Sequence, residues 1–366
     1  MSDTTKNPIK KYSRVTVKVG SNVLTRQDGT LDITRMSSLV DQIAALVKEG
    51  VEVILVSSGA IASGRSELNI QRRLDSVQER QLYSAVGQAK LINRYFEFFR
   101  EHGLSCGQVL TTKESFATRR HYLNQRCCMT TMLENGVVPI INENDTVSVT
   151  ELMFTDNDEL CGLIASMMDC QALVILSNID GIYDSQPGTK GAKVIPVITP
   201  DMDITSFISP SKSSFGRGGM LTKSSIARKV SEEGIEVIIA NGKKDGILSS
   251  VLLDKETVCT RFLPSESGMS GVKKWIAHSA SFAKGGVQVN GNAQKMLQSE
   301  KVVSLLPIGI THVEGEFEKD DIIRIFDAEG QGIGMGKAAM SSQELREVVG
   351  AHGAKPAIHY DYLIID

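Results

Sequence analysis

The sequence lacks several features that would point to particular protein classes. No apolar run approaches the roughly 18 residues of a membrane-crossing helix, and residues 1–11 are polar, so neither a membrane span nor a signal peptide is predicted. Aromatic residues make up only 5% of the chain and include a single tryptophan, Trp275. A core that depends on many stacked rings is therefore not expected.

The chain also lacks a strong charge of either sign. Lysine and arginine total 40 against 43 aspartate and glutamate residues, a formal net charge of −3. The overall charge therefore does not favour nucleic acid or an anionic membrane as a partner. The six cysteines show no C-x-x-C spacing, which predicts reduced core residues of a cytosolic protein. The six histidines have no metal-ligand spacing, so no metal site is predicted.

Short apolar segments alternate with long amphipathic ones up to about residue 253. Residues 33–49 and 76–101 have helical periodicity, with Asp32 as a candidate N-cap. The strand candidates are nearly continuous in valine and isoleucine, as in parallel strands covered on both faces; they are residues 15–19, 51–56, 137–141, 172–176 and 235–239. This alternation predicts a three-layer αβα sandwich with a mainly parallel sheet.

The pattern changes after residue 253. A stretch rich in serine, glycine and proline is followed by short strand candidates at residues 285–289, 321–326 and 330–336. From residue 271 onward the chain has 10 Lys or Arg against 12 Asp or Glu, so this part is slightly acidic. We predict an α/β domain over residues 1–255, a linker over residues 256–272, and a small, mostly β domain over residues 273–366.

Ligands of open parallel α/β sheets bind beyond the carboxyl ends of the strands, so the loops there are the candidate functional segments. The first strand contains Lys18, followed by Gly20 and Ser21. Lys18 is predicted either to reach a phosphate beside these backbone amides or to be an edge-strand lysine that extends to water. The small residues 57–64 after the second strand indicate either an anion site at a helix N-terminus or a plain serine N-cap.

Two clusters of carboxylate and amide side chains follow residues 137–141. They are Asn142-Glu143-Asn144-Asp145 and Thr155-Asp156-Asn157-Asp158, the second directly ahead of a predicted helix over residues 159–168. A single cluster of this kind is typical of a solvated turn, and Asp156 or Asn157 also fits a plain N-cap. Two clusters on one loop at this edge of the sheet favour a polar pocket.

A glycine-rich segment, residues 209–223, ends in Gly216-Arg217-Gly218-Gly219-Met220-Leu221-Thr222-Lys223. Glycines there let the backbone approach a nucleotide, with Lys223 one turn into the next helix. The segment lacks Walker A spacing, the first strand is not followed by G-x-G-x-x-G, and the H-R-D and D-F-G motifs of protein kinases are absent.

Together these segments resemble the amino-acid kinase family, in its glutamate-phosphorylating branch. The matching strings stand in the family's order: residues 17–25 (VKVGSNVLT), 57–64 (SSGAIASG), 85–88 (AVGQ), 139–145 (PIINEND), 156–158 (DND) and 218–223 (GGMLTK). The rest of the chain resembles the PUA module that many of these kinases carry, notably at residues 304–310 (SLLPIGI).

The resemblance implies transfer of the γ-phosphoryl group of ATP to the side-chain carboxylate of L-glutamate, the first step of proline synthesis, with Mg²⁺ carried mainly by the phosphates. A carboxylate is ionised at neutral pH and needs no general base. The implied site residues are Lys18, Lys223 and Asp158 for catalysis, Ser58, Asp145 and Asn157 for glutamate, and Lys18, Ser177, Asn178, Arg217, Gly218, Gly219, Met220, Leu221, Thr222 and Lys223 for the nucleotide.

Two departures from the family affect the nucleotide contacts. Ser177-Asn178 stand where Thr-Asp is frequent, and Arg217 and Leu221 stand where threonine and serine are usual. Two alternatives stay open: a relative acting on another carboxylate, a phosphonate or a nucleotide, and an RNA-binding protein that uses its PUA-like domain. The acidic second domain disfavours the RNA-binding alternative. The resemblance further implies a cytoplasmic homo-oligomer inhibited by L-proline, with no membrane partner.

Overall fold

The chain divides into two compact units, residues 1–115 with 124–268 and residues 116–123 with 269–366. The computed structural model describes residues 12–68, 70, 74–148, 154, 156–204, 219–253, 255–266, 271–279, 282–299 and 302–365. Among the helices in these ranges, none combines the length and apolar content that a bilayer crossing requires.

One mixed sheet forms the centre of the first unit. Its strands are β1 (Arg14–Val19), β2 (Glu52–Ser57), β3 (Ser105–Thr111), β4 (Val137–Glu143), β5 (Ala172–Ser177), β6 (Val197–Ile198), β7 (Glu236–Asn241) and β8 (Cys259–Phe262). In the described ranges they lie in the order β3-β4-β2-β1-β5-β7-β8-β6, and all neighbours are parallel except β7 and β8. The predicted, mainly parallel sheet is confirmed, with all five predicted strands present.

Helices cover both faces of this sheet. The helices up to residue 253 are α1 (Ser21–Leu24), α2 (Ile33–Lys48), α3 (Ala60–Glu67), α4 (Ser76–Glu101), α5 (Glu114–Ala117), α6 (Arg119–Glu134), α7 (Asn157–Met167), α8 (Met220–Glu232) and α9 (Ile247–Leu252), of which residues 116–123 of α5 and α6 belong to the second unit. Val15, Val17 and Val19 of β1 share a core with α2, α4 and α9. Strand alternation therefore places Lys18 on the opposite face, where it contacts α7.

Backbone contact between α3 and α4 fixes the segment that follows β2. A Cβ atom added to Gly87 of α4 would lie 1.8 Å from the carbonyl oxygen of Ala60, and one added to Gly64 of α3 would lie 1.9 Å from that of Tyr83. Only glycine fits at either position. The two helices therefore pack backbone against backbone, which sets where α4 side chains meet the strand ends.

The stretch predicted as a linker contains an ordered strand. β8 pairs antiparallel with β7, so residues 259–262 complete the first sheet. Their neighbours are rich in serine, glycine and proline, and this composition obscured a strand of four residues. The prediction that the cysteines are core residues holds for four of the six, but Cys127 and Cys128 are exposed on α6.

The second unit is mostly β, as predicted. Its elements are α10 (Gly271–Ala277), β9 (Gly285–Val289), α11 (Gly291–Leu297), β10 (Ile310–Gly315), β11 (Ile322–Phe326), β12 (Gly332–Ala338), α12 (Ser342–Val348) and β13 (Ile358–Ile365). The described strands lie in the order β10-β9-β11-β12-β13. The indole nitrogen of Trp275 donates to the carbonyl of Phe116 at 3.1 Å, which ties residues 116–123 to this unit.

Candidate active site

Two lysines from different elements meet at one buried carboxylate. Asp158, in the first turn of α7, is 0% exposed. Its Oδ1 lies 2.5 Å from Nζ of Lys18 on β1, and its Oδ2 lies 2.8 Å from Nζ of Lys223 on α8. Because β1 lies between β2 and β5, the alternative that Lys18 is an edge-strand lysine is wrong.

Electrostatics keep this cluster charged. Burial alone would lower the pKa of Lys18, but the Asp158 carboxylate beside it raises that pKa above its ordinary value. Burial opposes ionisation of Asp158 as well, yet the charges of Lys18 and Lys223 hold its pKa below the usual range. The three groups together carry one net positive charge, which suits an anionic ligand such as a phosphoryl group.

Asp156 is both a helix cap and a second carboxylate near the lysines. Its Oδ1 accepts from the backbone amides of Asp158 and Glu159 at 2.8 and 3.1 Å, so it is the N-cap of α7. Its Oδ2 is buried without a hydrogen-bond partner. Burial, with the like charge of Asp158, raises the pKa of Asp156 to about 6.

Glycines follow the ends of β1 and β2. A Cβ atom on Gly20 would lie only 3.3 Å from the Leu176 carbonyl oxygen, to which the Gly20 amide donates at 3.2 Å, and at an ordinary contact distance of 3.6 Å from Nζ of Lys18. The N-cap of α3 is Gly59, with φ of 106°, and no side chain caps this helix. The serine N-cap alternative is therefore wrong, and the amides at this N-terminus remain available to an anion.

A chain of neutral amides lies at the ends of β2 and β4. Asn157 Nδ2 donates to Ser58 Oγ at 2.9 Å and to Asn142 Oδ1 at 3.1 Å. Asn142 Nδ2 donates in turn to Gln88 Oε1 at 2.8 Å. The structure thus brings Ser58 and Asn157 together.

A buried arginine accompanies Asp145. Arg80 of α4 is 7% exposed, and its Nε lies 3.7 Å from Asp145 Oδ1. Arg80 also donates to the carbonyl of Ser148. Glu143 Oε1 accepts from Ser148 Oγ and from the backbone amide of Phe154, each at 3.0 Å. These contacts connect Glu143, Asp145, Ser148 and Phe154 to one another and to α4.

The candidate nucleotide residues lie at the end of β5 and the start of α8. Ser177 ends β5, and its carbonyl accepts from the backbone amide of Gly242 at 2.8 Å. Gly219 is the N-cap of α8 without a side-chain cap, ahead of Met220, Leu221 and Thr222. Arg217 and Gly218 lie outside the described residues.

Sequence reasoning did not single out Arg80, and it named Asn142 and Gln88 only within a polar cluster or a matching string, without individual roles. The available signal was periodicity: Arg80, Ser84 and Gln88 lie on the same buried stripe of α4 as Tyr83 and Leu91. A charged or amide side chain on the core-facing stripe of a helix needs a polar partner. In the described ranges, no group of three or more His, Cys, Asp or Glu side chains is arranged to hold a metal ion.

Comparison with known proteins identifies the family. Residues 13–241 match the profile described as "Amino acid kinase family", and residues 285–360 match the one described as "PUA domain". The chain belongs to the amino acid kinase family. Both resemblances stated from the sequence are thereby confirmed.

Relatives of this amino acid kinase align along nearly its whole length. A Bacteroides thetaiotaomicron protein named glutamate 5-kinase is 66% identical, covering 97% of this chain and 99% of that protein. A Chlorobaculum tepidum protein of the same name is 48% identical, covering 97% and 98%. Among solved structures, UMP kinase from Bacillus anthracis covers 69% of this chain and 96% of its own at 16% identity and a TM-score of 0.48. The family assignment rests on the sequence matches.

The raised pKa of Asp156 predicts a pH-dependent gain in stability for Asp156→Asn. The asparagine keeps the N-cap acceptor but carries no charge. The pKa of Asp156 in the folded chain, about 6, lies above its value in the unfolded chain. Above pH 6 the buried carboxylate is ionised and opposes folding, whereas below the unfolded pKa it is protonated in both states and has no such effect. We expect the variant to raise the free energy of unfolding at pH 8 by on the order of 1–2 kcal/mol. This gain should shrink as pH falls from 6 towards 4.

Urea unfolding at pH 8 and pH 4.5 measures this difference. Asp75→Asn is the matched control, because Asp75 caps α4 in the same way, through the backbone amides of Val77 and Gln78, but is exposed. A gain for Asp156→Asn that is equal at both pH values would contradict the assignment.

Proposed function

We propose that this chain is a glutamate 5-kinase, which transfers the γ-phosphoryl group of ATP to the side-chain carboxylate of L-glutamate. The observation that carries the proposal is the pairing of Lys18 and Lys223 with buried Asp158. The full-length similarity to proteins of that name supports the same activity. Residues 1–255 are proposed to carry catalysis, with residues 259–262 of the segment 256–272 contributing β8 to the same sheet, and residues 273–366 are proposed to form the PUA-like domain.

Phosphoryl transfer needs positioning and neutralisation of charge more than covalent chemistry. A glutamate carboxylate oxygen attacks the γ-phosphorus, and the bond to the bridging oxygen of ADP breaks. Lys18 and Lys223 donate to the phosphoryl oxygens, where negative charge is concentrated. Asp158 holds both ammonium groups in place through contacts of 2.5 and 2.8 Å. The nucleophile is already ionised at neutral pH, so no general base is required.

Glutamate binds at the ends of β2 and β4 in this proposal. Asp145 interacts with the α-ammonium group, and Ser58 and Asn157 form directional hydrogen bonds. The proximity of Ser58 Oγ and Asn157 Nδ2, at 2.9 Å, supports a shared role. The buried Arg80 guanidinium forms an ion pair with Asp145, with its Nε 3.7 Å from Asp145 Oδ1.

ATP binds along the ends of β1 and β5 and at the start of α8. We assign its contacts to Lys18, Ser177, Asn178 and residues 217–223. The donor set fits a magnesium ion that the phosphates hold, because both oxygens of Asp158 already contact lysines, and of the Asp156 oxygens Oδ1 caps α7 while Oδ2 has no hydrogen-bond partner among the described residues. When bound, Mg²⁺ supplies neutralisation of phosphate charge.

Hydroxylamine trapping tests the activity. An acyl phosphate reacts with hydroxylamine to give a coloured hydroxamate, so the chain should form hydroxamate in an ATP- and L-glutamate-dependent reaction. L-Aspartate, one methylene shorter, is the matched acceptor control and should react at least about tenfold more slowly. Release of ADP with another carboxylate, a phosphonate or a nucleotide, and none with L-glutamate, would favour a different member of the family.

Lys223→Ala should remove a contact that is strongest in the transition state. We expect kcat to fall by at least about 100-fold, with little change in the KM for glutamate. Steady-state kinetics measure both constants. Lys229→Ala, later on the same helix, is the control and should keep the parent kcat. A raised glutamate KM at unchanged kcat would assign Lys223 to substrate binding instead.

We further propose that L-proline inhibits by occupying the glutamate site of a cytoplasmic homo-oligomer. Proline shares the α-carboxylate and a positively charged amine with glutamate but lacks a second carboxylate to phosphorylate. Added proline should raise the apparent glutamate KM at unchanged kcat. Cyclopentanecarboxylate, the ring without the amine, should not inhibit. Inhibition that lowers kcat alone would place proline elsewhere.

A further inference from the structure

The amide chain behind the proposed glutamate site contains one residue with no role in the mechanism above. Gln88 of α4 is 9% exposed, and its partner Asn142 is 4% exposed. Both side chains are therefore shielded from water, and their hydrogen bonds to each other and to Asn157 decide how their amides are oriented.

A backbone group fixes the direction of the hydrogen bonds in this chain. The amide N–H of Glu143 donates to Asn142 Oδ1 at 2.9 Å. A backbone N–H can only donate, so this side of the Asn142 amide is its carbonyl oxygen and the other side is its NH₂ group. That NH₂ group donates to Gln88 Oε1 at 2.8 Å.

The same constraint passes on to Asn157. Asn142 Oδ1 accepts from Asn157 Nδ2 at 3.1 Å, and this nitrogen also donates to Ser58 Oγ at 2.9 Å. Both protons of the Asn157 amide are thus used within the protein. Asn157 can offer a ligand its Oδ1, which only accepts, whereas Ser58, itself an acceptor from Asn157, has its own proton to donate.

We propose that Gln88 is a positioning residue that holds Asn142, keeps the Asn157 carbonyl oxygen toward the bound amino acid, and so makes the site selective for an α-ammonium group. The ammonium donates to Asn157 Oδ1, and Ser58 donates to a carboxylate oxygen. This inference rests on the proposed glutamate-phosphorylating function.

The position of Gln88 is set by rigid packing. The neighbouring Gly87 brings the α4 backbone against Ala60 of α3. Two helical turns further along α4, the hydroxyl of Tyr95 lies 2.8 Å from Ser57 Oγ at the end of β2. Two contacts thus fix α4 relative to the segment that carries Ser58, and Gln88 Oε1 is presented to Asn142 from a fixed site.

Gln88→Leu removes the acceptor while keeping a buried side chain of similar size. Asn142 Nδ2 then has no acceptor in a shielded place, which is unfavourable. Rotation of the Asn142 amide toward another acceptor would relieve this, but it would break the hydrogen bond from the Glu143 amide and would withdraw Oδ1 from Asn157. The Asn157 amide would then be held by Ser58 Oγ and, at 3.4 Å, by the Ser57 carbonyl alone, and the discrimination in favour of an ammonium group would weaken.

The experiment compares L-glutamate with glutarate, which lacks the α-ammonium group, in the full chain. Hydroxamate formation gives kcat and KM for each, and calorimetry without ATP gives binding. For Gln88→Leu we expect the glutamate KM to rise at least about tenfold and the glutamate-over-glutarate selectivity to fall by a similar factor. The KM for ATP should stay unchanged. Gln88→Glu, which retains an acceptor for Asn142, should keep the selectivity within about threefold.

Gln42→Leu is the matched control. Gln42 of α2 is 8% exposed, and its Oε1 accepts from the backbone amide of Leu248 at 2.9 Å, in the packing of α2 against α9. This variant should lower the melting temperature and keep the selectivity of the parent.

The outcomes separate the two proposals. If Gln88→Leu changes glutamate and glutarate kinetics equally, or leaves both unchanged, Gln88 is a core residue only and the inference is overturned while the kinase function stands. If the parent binds neither dicarboxylate, both the inference and the proposed function fail.

Discussion

The candidate site depends on the burial of one carboxylate between two ammonium groups. Asp158 is 0% exposed, and an ionised carboxylate is strongly unfavourable there unless cations compensate its charge. Lys18 and Lys223 provide this compensation, and each brings a different element to the same point. In this buried position the three charges are stable only when β1, α7 and α8 are all assembled. Formation of the site is therefore coupled to folding of the first unit.

Strand order separates the two proposed substrates. Ser58 follows β2, and Asn142 lies at the end of β4, on one side of β1; Ser177 ends β5, on the other side. Lys18 on β1 lies between these groups. The side proposed for glutamate is built from neutral amides and an Asp145–Arg80 pair. The sheet thus places the cluster of Lys18, Asp158 and Lys223 between the two regions proposed to bind the substrates.

Local signals explain how much of this was accessible from the sequence. Apolar segments rich in valine and isoleucine predicted β1 and β5, and Asp32 caps α2 as expected, accepting from the backbone amide of Arg35. Strands β3 and β8 were harder. β3, at one edge of the sheet, mixes small, polar and apolar residues, and β8, next to the two-residue edge strand β6, is four residues long within a serine- and glycine-rich stretch. Strands of this kind owe their stability to pairing with a neighbour, which local composition does not encode.

The sequence alone established the fold class, the loops that carry chemistry and, by resemblance, the residues proposed to act there. Packing determined the rest: that Lys18 is on a central strand, that Arg80 accompanies Asp145, and that Gln88 accepts a hydrogen bond from Asn142. These facts depend on the register of strands and on contacts between residues far apart in the chain. Burial then sets their energies, because the same carboxylate or amide is inexpensive in water and requires a specific partner inside the protein.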